Sequence, residues 1–309
     1  MFNSISVVVP VFNGELTLQQ LISRLEPVLA SQASSYEVIL VNDGSHDKSW
    51  DIISELAVQY PWVRGIDMMR NFGQHNALLC GIRAANAEII VTIDDDLQNP
   101  PEEIPKLLGK LSEGYDVIYG TPHKEQHGLW RDLASQITKM VLQGAMGTKI
   151  ARNVSAFRAF RCLVRDAFAN YQGPFVSIDV LLTWGTTRFA AIPVNHDPRR
   201  VGVSNYTFLK LITHALNMMT GFSTLPLQIA SIVGFGVTLF GVGVLFYVIG
   251  RYLIMGGSIP GFPFLACIIA IFSGTQLFAL GIIGEYLARM HFRMMDRPTY
   301  AVRSTTSQK

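Results

Sequence analysis

The chain has 309 residues, enough for one large domain with an appendage or for two modest domains. Its formal net charge of +2, without a block of Lys or Arg, gives no support for nucleic-acid binding. The three cysteines form no CxxC pair, so neither a disulfide framework nor a zinc site is indicated. The first residues lack the marks of a secretory signal peptide, and we expect the first domain to be cytosolic.

The first part of the chain alternates between short β-branched runs and segments of helical period, the pattern of a mostly parallel sheet with crossover helices. The predicted strands are residues 5–10, 37–41, 63–68, 88–93 and 116–119. Between the first two strands, apolar residues at helical spacing predict one buried helix face: Leu18, Leu21, Ile22, Leu25, Val28 and Leu29. Ligands of such α/β sheets bind beyond the carboxyl ends of the strands.

Polar segments follow three of these strands: Asn13-Gly14-Glu15, Asn42-Asp43-Gly44-Ser45 and Asp94-Asp95-Asp96. An acidic triplet alone is usually a solvated loop. Here a buried type of strand precedes the carboxylates, and a Pro-Pro turn follows them. Hard oxygen ligands suit Mg²⁺ or Mn²⁺, which bind one or two carboxylates together with substrate phosphates. The triplet therefore predicts a metal–diphosphate site.

The rest of the chain is predicted to meet a membrane. Apolar residues form one stripe over 206–222, which predicts an in-plane interfacial helix, although a soluble core-facing helix has the same pattern. Residues 225–250 and 259–284 contain no charged residue or His, and each run could cross a hydrocarbon core about 30 Å thick. A buried apolar hairpin is the alternative. The tail after Arg303 is expected to be disordered.

Charged residues around the two runs predict their orientation. Arg199, Arg200 and Lys210 precede the first run, Arg289, Arg293, Arg297 and Arg303 follow the second, and the connection holds only Arg251. Both flanks are therefore expected to be cytoplasmic, because positive residues concentrate on that side.

Three motifs in order carry a resemblance to a known family: Val8-Val9-Pro10-Val11-Phe12-Asn13-Gly14-Glu15, Val41-Asn42-Asp43-Gly44-Ser45 and Asp94-Asp95-Asp96-Leu97-Gln98. They resemble those of inverting family 2 glycosyltransferases, which have the α/β GT-A fold with a Rossmann-like, mostly parallel sheet. With the two apolar runs added, nearly the whole chain resembles polyprenyl-phosphate glycosyltransferases related to dolichol-phosphate mannose synthase and the bactoprenol glucosyltransferases. The resemblance implies a GT-A domain over residues 1–204, the interfacial helix over 205–223 and a membrane anchor over 224–309, with spans near 225–250 and 262–287 and a short cytoplasmic tail.

The resemblance also implies roles for individual residues. The nucleotide would be bound by Pro10, Phe12, Asn13, Glu15, Asp43, Asp94 and Asp95, with Asp43 near the base. Asp96 and Gln98 would hold Mg²⁺ or Mn²⁺. The catalytic set would be Asp94, Asp96, Arg158 and Arg200. Catalysis would then consist of Lewis-acid assistance and positioning rather than covalent chemistry.

A second cluster, residues 153–161, resembles the acceptor-side segment of the mannose synthases. The glucosyltransferase branch has an Asp directly before its Phe-Arg pair, whereas this chain has Ala156. The residues that we expect at the acceptor phosphate are Ser155, Arg158, Arg199, Arg200 and Ser204. Guanidinium groups bind phosphate oxygens bidentately, and a phosphate monoester is already largely dianionic at pH 7, so no side-chain base is needed.

The predicted reaction is inverting transfer of a sugar from a UDP- or GDP-linked donor to polyprenyl (undecaprenyl) phosphate at the cytoplasmic face of the inner membrane. A homo-oligomer is implied by the resemblance, and a separate flippase is expected because two helices cannot enclose a polar headgroup. The alternatives are a membrane-anchored nucleotide-sugar-binding protein without activity and a glycosyltransferase for another lipid acceptor. A processive polysaccharide synthase is disfavoured, because the chain lacks a Gln-x-x-Arg-Trp motif.

Overall fold

The computed structural model describes residues 2–122, 154–173, 175–197, 225–255, 261–295 and 297–306. It divides into two units, of which the first comprises Met1–Ile212 and Asp296–Lys309 and the second Thr213–Met295. Residues 296–309 thus belong to the first unit, although we had assigned them to the membrane anchor. The predicted interfacial helix lies outside the described residues.

Strands and helices alternate through the first unit. Its strands are β1 Phe2–Val11, β2 Ala33–Asn42, β3 Val63–Met68, β4 Ile89–Thr92, β5 Val117–Pro122, β6 Arg158–Arg161, β7 Phe189–Val194 and β8 Val302–Thr305. Its α-helices are α1 Leu18–Gln32, α2 Ser49–Gln59, α3 Gln74–Ala84, α4 Ile104–Ser112 and α5 Ile178–Gly185. Short 3-10 helices occupy Pro101–Glu103 and Cys162–Phe168. All five predicted strands are confirmed, with boundaries that differ by up to four residues.

The eight strands form one sheet in the order β7-β5-β6-β4-β1-β2-β3-β8. The central strands β4, β1, β2 and β3 are parallel to one another, whereas β6 and β8 run antiparallel to their neighbours. Because β4, β1 and β2 are adjacent and parallel, their carboxyl ends meet at one edge of the sheet. That edge carries the three polar segments singled out in the sequence.

Helices cover both faces of the sheet. The predicted face of α1 is confirmed, since all six of its apolar residues are buried against one side of the sheet. On the other side, α3 packs so closely that a Cβ on Gly81 would overlap the side chain of Val8. Burying each Leu, Ile or Val side chain stabilises the fold by about 1.5–3 kcal/mol before conformational entropy is counted. The edge that carries the polar segments is therefore built on a well-packed support.

The chain's last described residues correct one prediction. Ser304 and Thr305, which follow Arg303 and were expected to be disordered, belong to β8, which pairs antiparallel with β3. Without β8, the outer edge of β3 would leave backbone N–H and C=O groups unpaired, and such an edge readily recruits another strand. The polar composition of the tail hid this pairing.

The second unit contains two long helices, α6 Leu225–Met255 and α7 Phe262–Met294. The segments Pro226–Ile254 and Ile271–Met294 are long and apolar enough to cross a membrane, and most of their described side chains are exposed or half-buried. The two helices pack together where Gly241 leaves room for the ring of Phe272. Exposed apolar surface of this extent on a helix pair indicates membrane association.

Candidate active site

Hydrogen bonds join the loop after β1 to the loop after β2. Asn13, which adopts a positive φ of 55°, donates its backbone N–H to Ser45 Oγ at 3.0 Å and accepts the N–H of His46 at 2.9 Å through Oδ1. The N–H of Gly14 donates to Ser49 Oγ at 2.9 Å. Hydrogen bonds therefore connect two of the predicted nucleotide-binding segments.

Glu15 and Phe12 belong to the same pair of hydrogen-bonded loops. The backbone N–H of Glu15 donates to Asp47 Oδ2 at 3.2 Å, and its own carboxylate accepts the N–H of Lys48 at 3.0 Å. Phe12 is 43% exposed and meets the exposed ring of His46 edge-on, with 6.3 Å between centroids. Pro10 is buried within β1, just before the loop. Two exposed rings at a strand end form a surface on which a planar base can stack.

The sequence reading missed His46, Asp47 and Ser49. A signal was present, because a Ser-x-Asp-x-Ser run before a helical pattern is rich in residues that bind backbone N–H groups.

Asp43 is buried, and backbone donors bind both of its carboxylate oxygens. The N–H of Phe72 donates to Oδ1 at 2.7 Å and the N–H of Gly73 to Oδ2 at 2.8 Å. Burial raises the pKa of Asp43, and these two hydrogen bonds oppose that rise. Next to it, Gly44 has a φ of +66°, and a Cβ there would overlap the backbone of Arg70 and Asn71. Asp43 thus ties the loop after β2 to the segment after β3.

The acidic triplet follows β4. Asp94 accepts a hydrogen bond from Gln74 Nε2 at 2.7 Å. The buried Oδ2 of Asp95 has no hydrogen-bond partner in the part of the chain that the structure describes, and a Cβ on Gly14 would overlap it. Burial, and then the charges of Asp94 and Asp96, raise the pKa of Asp95 to about 7. Concentrated negative charge at a partly buried site is the condition that a cation relieves.

The residues predicted as metal ligands occupy a tight turn. Asp96 Oδ1 accepts the backbone N–H of Gln98 at 3.1 Å, and Leu97 between them has a φ of 61°. A left-handed Leu costs roughly 1–2 kcal/mol, so the surrounding contacts hold this turn. Across the described ranges, no three His, Cys, Asp or Glu residues form a ready-made cluster for an ion. The carboxylate and amide oxygens fit a hard divalent cation that completes its coordination with substrate phosphate and water.

The segment after β7 lies along this turn. Asp197 donates its backbone N–H to the carbonyl of Gln98 at 2.8 Å, and the ring of His196 is hydrogen-bonded to Asn99 Oδ1 at 3.3 Å. Arg199, Arg200 and Ser204 lie outside the described residues.

Arg158 occupies a place that the sequence did not predict. Its side chain is 1% exposed, its Nε donates to Thr92 Oγ1 at 3.0 Å, and its Nη1 forms an ion pair with Asp179. Asp179 also accepts the hydroxyl of Tyr119 at 3.2 Å. Arg158 therefore has no exposed surface to offer a phosphate, and we revise its predicted role from direct contact to positioning. The physical reason is that a buried guanidinium must be paired, and Asp179 pairs it.

The same network supports the predicted acceptor segment. Thr92, two residues before Asp94, donates its hydroxyl to the carbonyl of Ala156 at 2.6 Å. Ser155 accepts the backbone N–H of Phe157 at 3.2 Å through its hydroxyl oxygen. The segment with Ser155 thus lies next to the strand that carries the acidic triplet. The sequence analysis missed Asp179, although a carboxylate directly before the apolar run Val180-Leu181-Leu182 signals a buried partner.

Hydrogen-bonded loops at the ends of β1 and β2, with an acidic triplet at the end of β4, are the arrangement expected of a glycosyltransferase of the GT-A class. The family model described as "Glycosyl transferase family 2" matches residues 6–170, and the chain belongs to this family of glycosyltransferases. The family predicted from the three motifs is thereby confirmed.

Two relatives match along nearly their whole length. Both are named undecaprenyl-phosphate 4-deoxy-4-formamido-L-arabinose transferase. The protein from Pectobacterium atrosepticum is 34% identical over 307 residues, covering 98% of this chain and 94% of the relative. The protein from Aeromonas hydrophila is 36% identical over 313 residues, covering 98% and 95%. These alignments include both apolar helices.

A solved structure confirms the fold class. Glucosyl-3-phosphoglycerate synthase from Mycobacterium tuberculosis, in complex with Mn²⁺, uridine diphosphate and glucosyl-3-phosphoglycerate, superimposes with a TM-score of 0.54. The match has 19% sequence identity and covers 71% of this chain and 78% of the other. At this identity the comparison establishes the α/β GT-A fold alone.

Proposed function

We propose that the protein transfers a sugar from a nucleotide-diphosphate donor to undecaprenyl phosphate at the cytoplasmic face of the inner membrane, with inversion at the anomeric carbon. The observation that carries this proposal is the full-length similarity to undecaprenyl-phosphate sugar transferases, which extends through the sheet and both apolar helices. A soluble glycosyltransferase would not need the two helices. A lipid acceptor requires the enzyme to work at a membrane surface.

The donor nucleotide is assigned to the joined loops after β1 and β2. The base stacks at the exposed rings of Phe12 and His46, and Asn13, Glu15 and Asp43 hold the loops around the nucleoside. Asp94 and Asp95, at the adjacent strand end, face the diphosphate side of this site. The hydrogen bonds between the loops reduce the ordering cost that the donor must overcome on binding.

A divalent cation, Mg²⁺ or Mn²⁺, is assigned to Asp96 and Gln98. When bound, it supplies positive charge that stabilises the departing nucleoside diphosphate. The chain's own contribution is the turn in which the Gln98 backbone N–H donates to Asp96 Oδ1. Beside this turn, burial and then the charges of Asp94 and Asp96 raise the pKa of Asp95. The buried Oδ2 of Asp95 has no hydrogen-bond partner among the described residues, and we assign this carboxylate to support the cation site beside Asp96.

The acceptor phosphate is assigned to Ser155, Arg199, Arg200 and Ser204. A phosphate oxygen forms the new bond to the anomeric carbon while the bond from that carbon to the diphosphate oxygen breaks. Because the second pKa of a phosphate monoester is about 6, the dianion needs no proton removed before attack. Arg158 and Asp179 hold Thr92 and the Ala156 carbonyl in place and so support both sides of the site.

Purified full-length protein, supplied with UDP- and GDP-linked sugars, tests the proposal. We expect transfer to polyprenyl phosphate, no transfer to the matching polyprenol, and a β-linked product from an α-linked donor. Arg200→Ala should raise the acceptor KM more than the donor KM, whereas Lys110→Ala, which removes a surface cation on α4, should change neither. Equal transfer to the alcohol, or an α-linked product, would contradict the mechanism. Homo-oligomerisation and a separate flippase remain predictions that this assay leaves aside.

A further inference from the structure

The last strand of the chain is built into the edge of the catalytic sheet. β8 pairs with β3 in the register Ile66 with Thr305 and Asp67 with Ser304. Beyond the strand, Thr306 closes the pairing, because its N–H donates to the Gly65 carbonyl at 3.0 Å and its hydroxyl accepts the Gly65 N–H at 2.8 Å. A segment 236 residues away in sequence from Asp67 thus completes the sheet.

Arg303 is the residue of β8 that reaches the loops. Its Nη2 donates to the carbonyl of Met69 at 2.9 Å, and the N–H of Met69 donates to the carbonyl of Ala301 at 2.9 Å. The tail therefore holds Met69 through both of its backbone polar groups. Arg303 Nη1 also lies 3.4 Å from Asp67 Oδ2, and Asp67 is 5% exposed whereas Arg303 is 59% exposed.

Two routes lead from these contacts to the predicted nucleoside site. Met69 begins the segment 69–73, and the N–H groups of Phe72 and Gly73 in that segment bind the carboxylate of Asp43. Asp67 accepts the side-chain amide of Asn42 at 2.7 Å. These contacts connect Arg303 to the loop after β2 on both sides of Asp43.

The second route continues beyond Asn42. The side-chain oxygen of Asn42 accepts the N–H of Ser45 at 3.3 Å, and Ser45 in turn binds the backbone of Asn13. The tail strand is therefore linked through hydrogen bonds to both loops that we assign to the donor.

We infer that Arg303 is a positioning residue of the donor site, and that the C-terminal strand presets the loop 42–45 for the nucleoside of the nucleotide sugar. The inference rests on the proposed function. Arg303 does not touch the donor; it restrains segment 69–73 and Asp67, which restrain Asp43 and Asn42. Losing Arg303 leaves the loops free to sample other arrangements, so the donor must order them on binding. The chemical step, once the donor is bound, is unchanged.

The test uses full-length protein in detergent, with donor KM, acceptor KM and kcat measured for three variants. Arg303→Ala is expected to raise the donor KM about 5- to 20-fold, while kcat and the acceptor KM change less than about twofold. This lies towards the lower end of the roughly 10- to 150-fold range for losing a charge-assisted hydrogen bond, because Arg303 is 59% exposed and acts through other residues. Arg303→Lys should restore part of the donor affinity. Arg297→Ala, which removes the same charge from an exposed position in the same tail, should behave as wild type.

Hydrogen exchange supplies a readout that does not depend on activity. In Arg303→Ala the amides of Phe72 and Gly73 should exchange faster, and those of the buried strand β1 should not. An unchanged donor KM, or equal losses in kcat and in both KM values, would overturn the inference and leave β8 as an edge cover.

Titration of the wild type with UDP and GDP separates the two proposals. If the wild type binds neither nucleotide, the proposed function is contradicted. The hydrogen-exchange rates of Phe72 and Gly73 then test by themselves whether Arg303 restrains this segment. Binding that is equal in wild type and Arg303→Ala contradicts only the inference.

Discussion

Replacing Asp179 by Ala is expected to destabilise the first unit strongly. The change removes the partner of Arg158, whose guanidinium side chain is 1% exposed. It also removes the acceptor of the Tyr119 hydroxyl, in a site where water has little access. The remaining acceptors near Arg158, Thr92 Oγ1 and the Ala156 carbonyl, carry no charge.

The magnitude follows from the burial of the pair. Breaking a buried ion pair by removing one partner costs about 3–5 kcal/mol, and the orphaned tyrosine hydroxyl is part of the same network, so its cost does not add fully. Asp179→Asn keeps an acceptor oxygen and should cost less, about 1–3 kcal/mol. Replacing both partners, with Arg158→Met and Asp179→Leu, removes the uncompensated charge and should recover much of the lost stability.

Thermal unfolding of full-length protein in detergent measures these differences. With about 2–4 °C of Tm per kcal/mol for a unit of this size, Asp179→Ala should unfold roughly 6–20 °C below wild type. Asp166→Ala is the matched control, because that carboxylate is 67% exposed and lies 3.9 Å from Arg165. A Tm for Asp179→Ala equal to that of the control would refute the reasoning, as would a double variant less stable than Asp179→Ala.

Three further predictions concern the acidic triplet and the membrane orientation. Asp96→Ala should abolish transfer and metal-dependent stabilisation without lowering the Tm of the chelator-treated protein. The control Asp51→Ala, at an exposed position, should leave transfer intact. Full activity of Asp96→Ala in the presence of chelator would contradict the metal assignment. The pKa of Asp95 is about 7, against about 3.9 for a free aspartate, so the folded state binds more protons between these values. The free energy of unfolding of the metal-free protein should therefore fall as pH rises from about 4 to 7, by at most about 4 kcal/mol. Asp95→Asn should show no such decline. The same dependence of unfolding free energy on pH in both proteins would contradict this prediction. In a Cys-free background, Ser258→Cys should be labelled from outside the cell, and its protection together with outside labelling of the tail would reverse the orientation.

Much of the fold follows from local sequence patterns, because burial imposes a period on each element. The β-branched runs predicted all five strands from β1 to β5, and the 3.6-residue period of Leu18 to Leu29 predicted the buried face of α1. The polar segments with Asn13, Asp43 and Asp94 could be placed together, since parallel neighbouring strands bring their carboxyl ends to one edge. Two uncharged runs predicted α6 and α7 by length alone.

The tertiary structure decided the contacts between residues far apart in sequence. Nothing local to Arg303 indicates that it meets Asp67 across 236 positions, and a short polar strand has no amphipathic pattern of its own. Arg158 matched an acceptor motif by sequence. Its side chain is nevertheless buried in an ion pair with Asp179, 21 positions away in the chain. Asp43 likewise serves the backbone of Phe72 and Gly73, donors that carry no side-chain signature. Such roles depend on which groups the packed sheet brings within hydrogen-bond distance, because a buried charge or backbone N–H must find a partner wherever the fold supplies one.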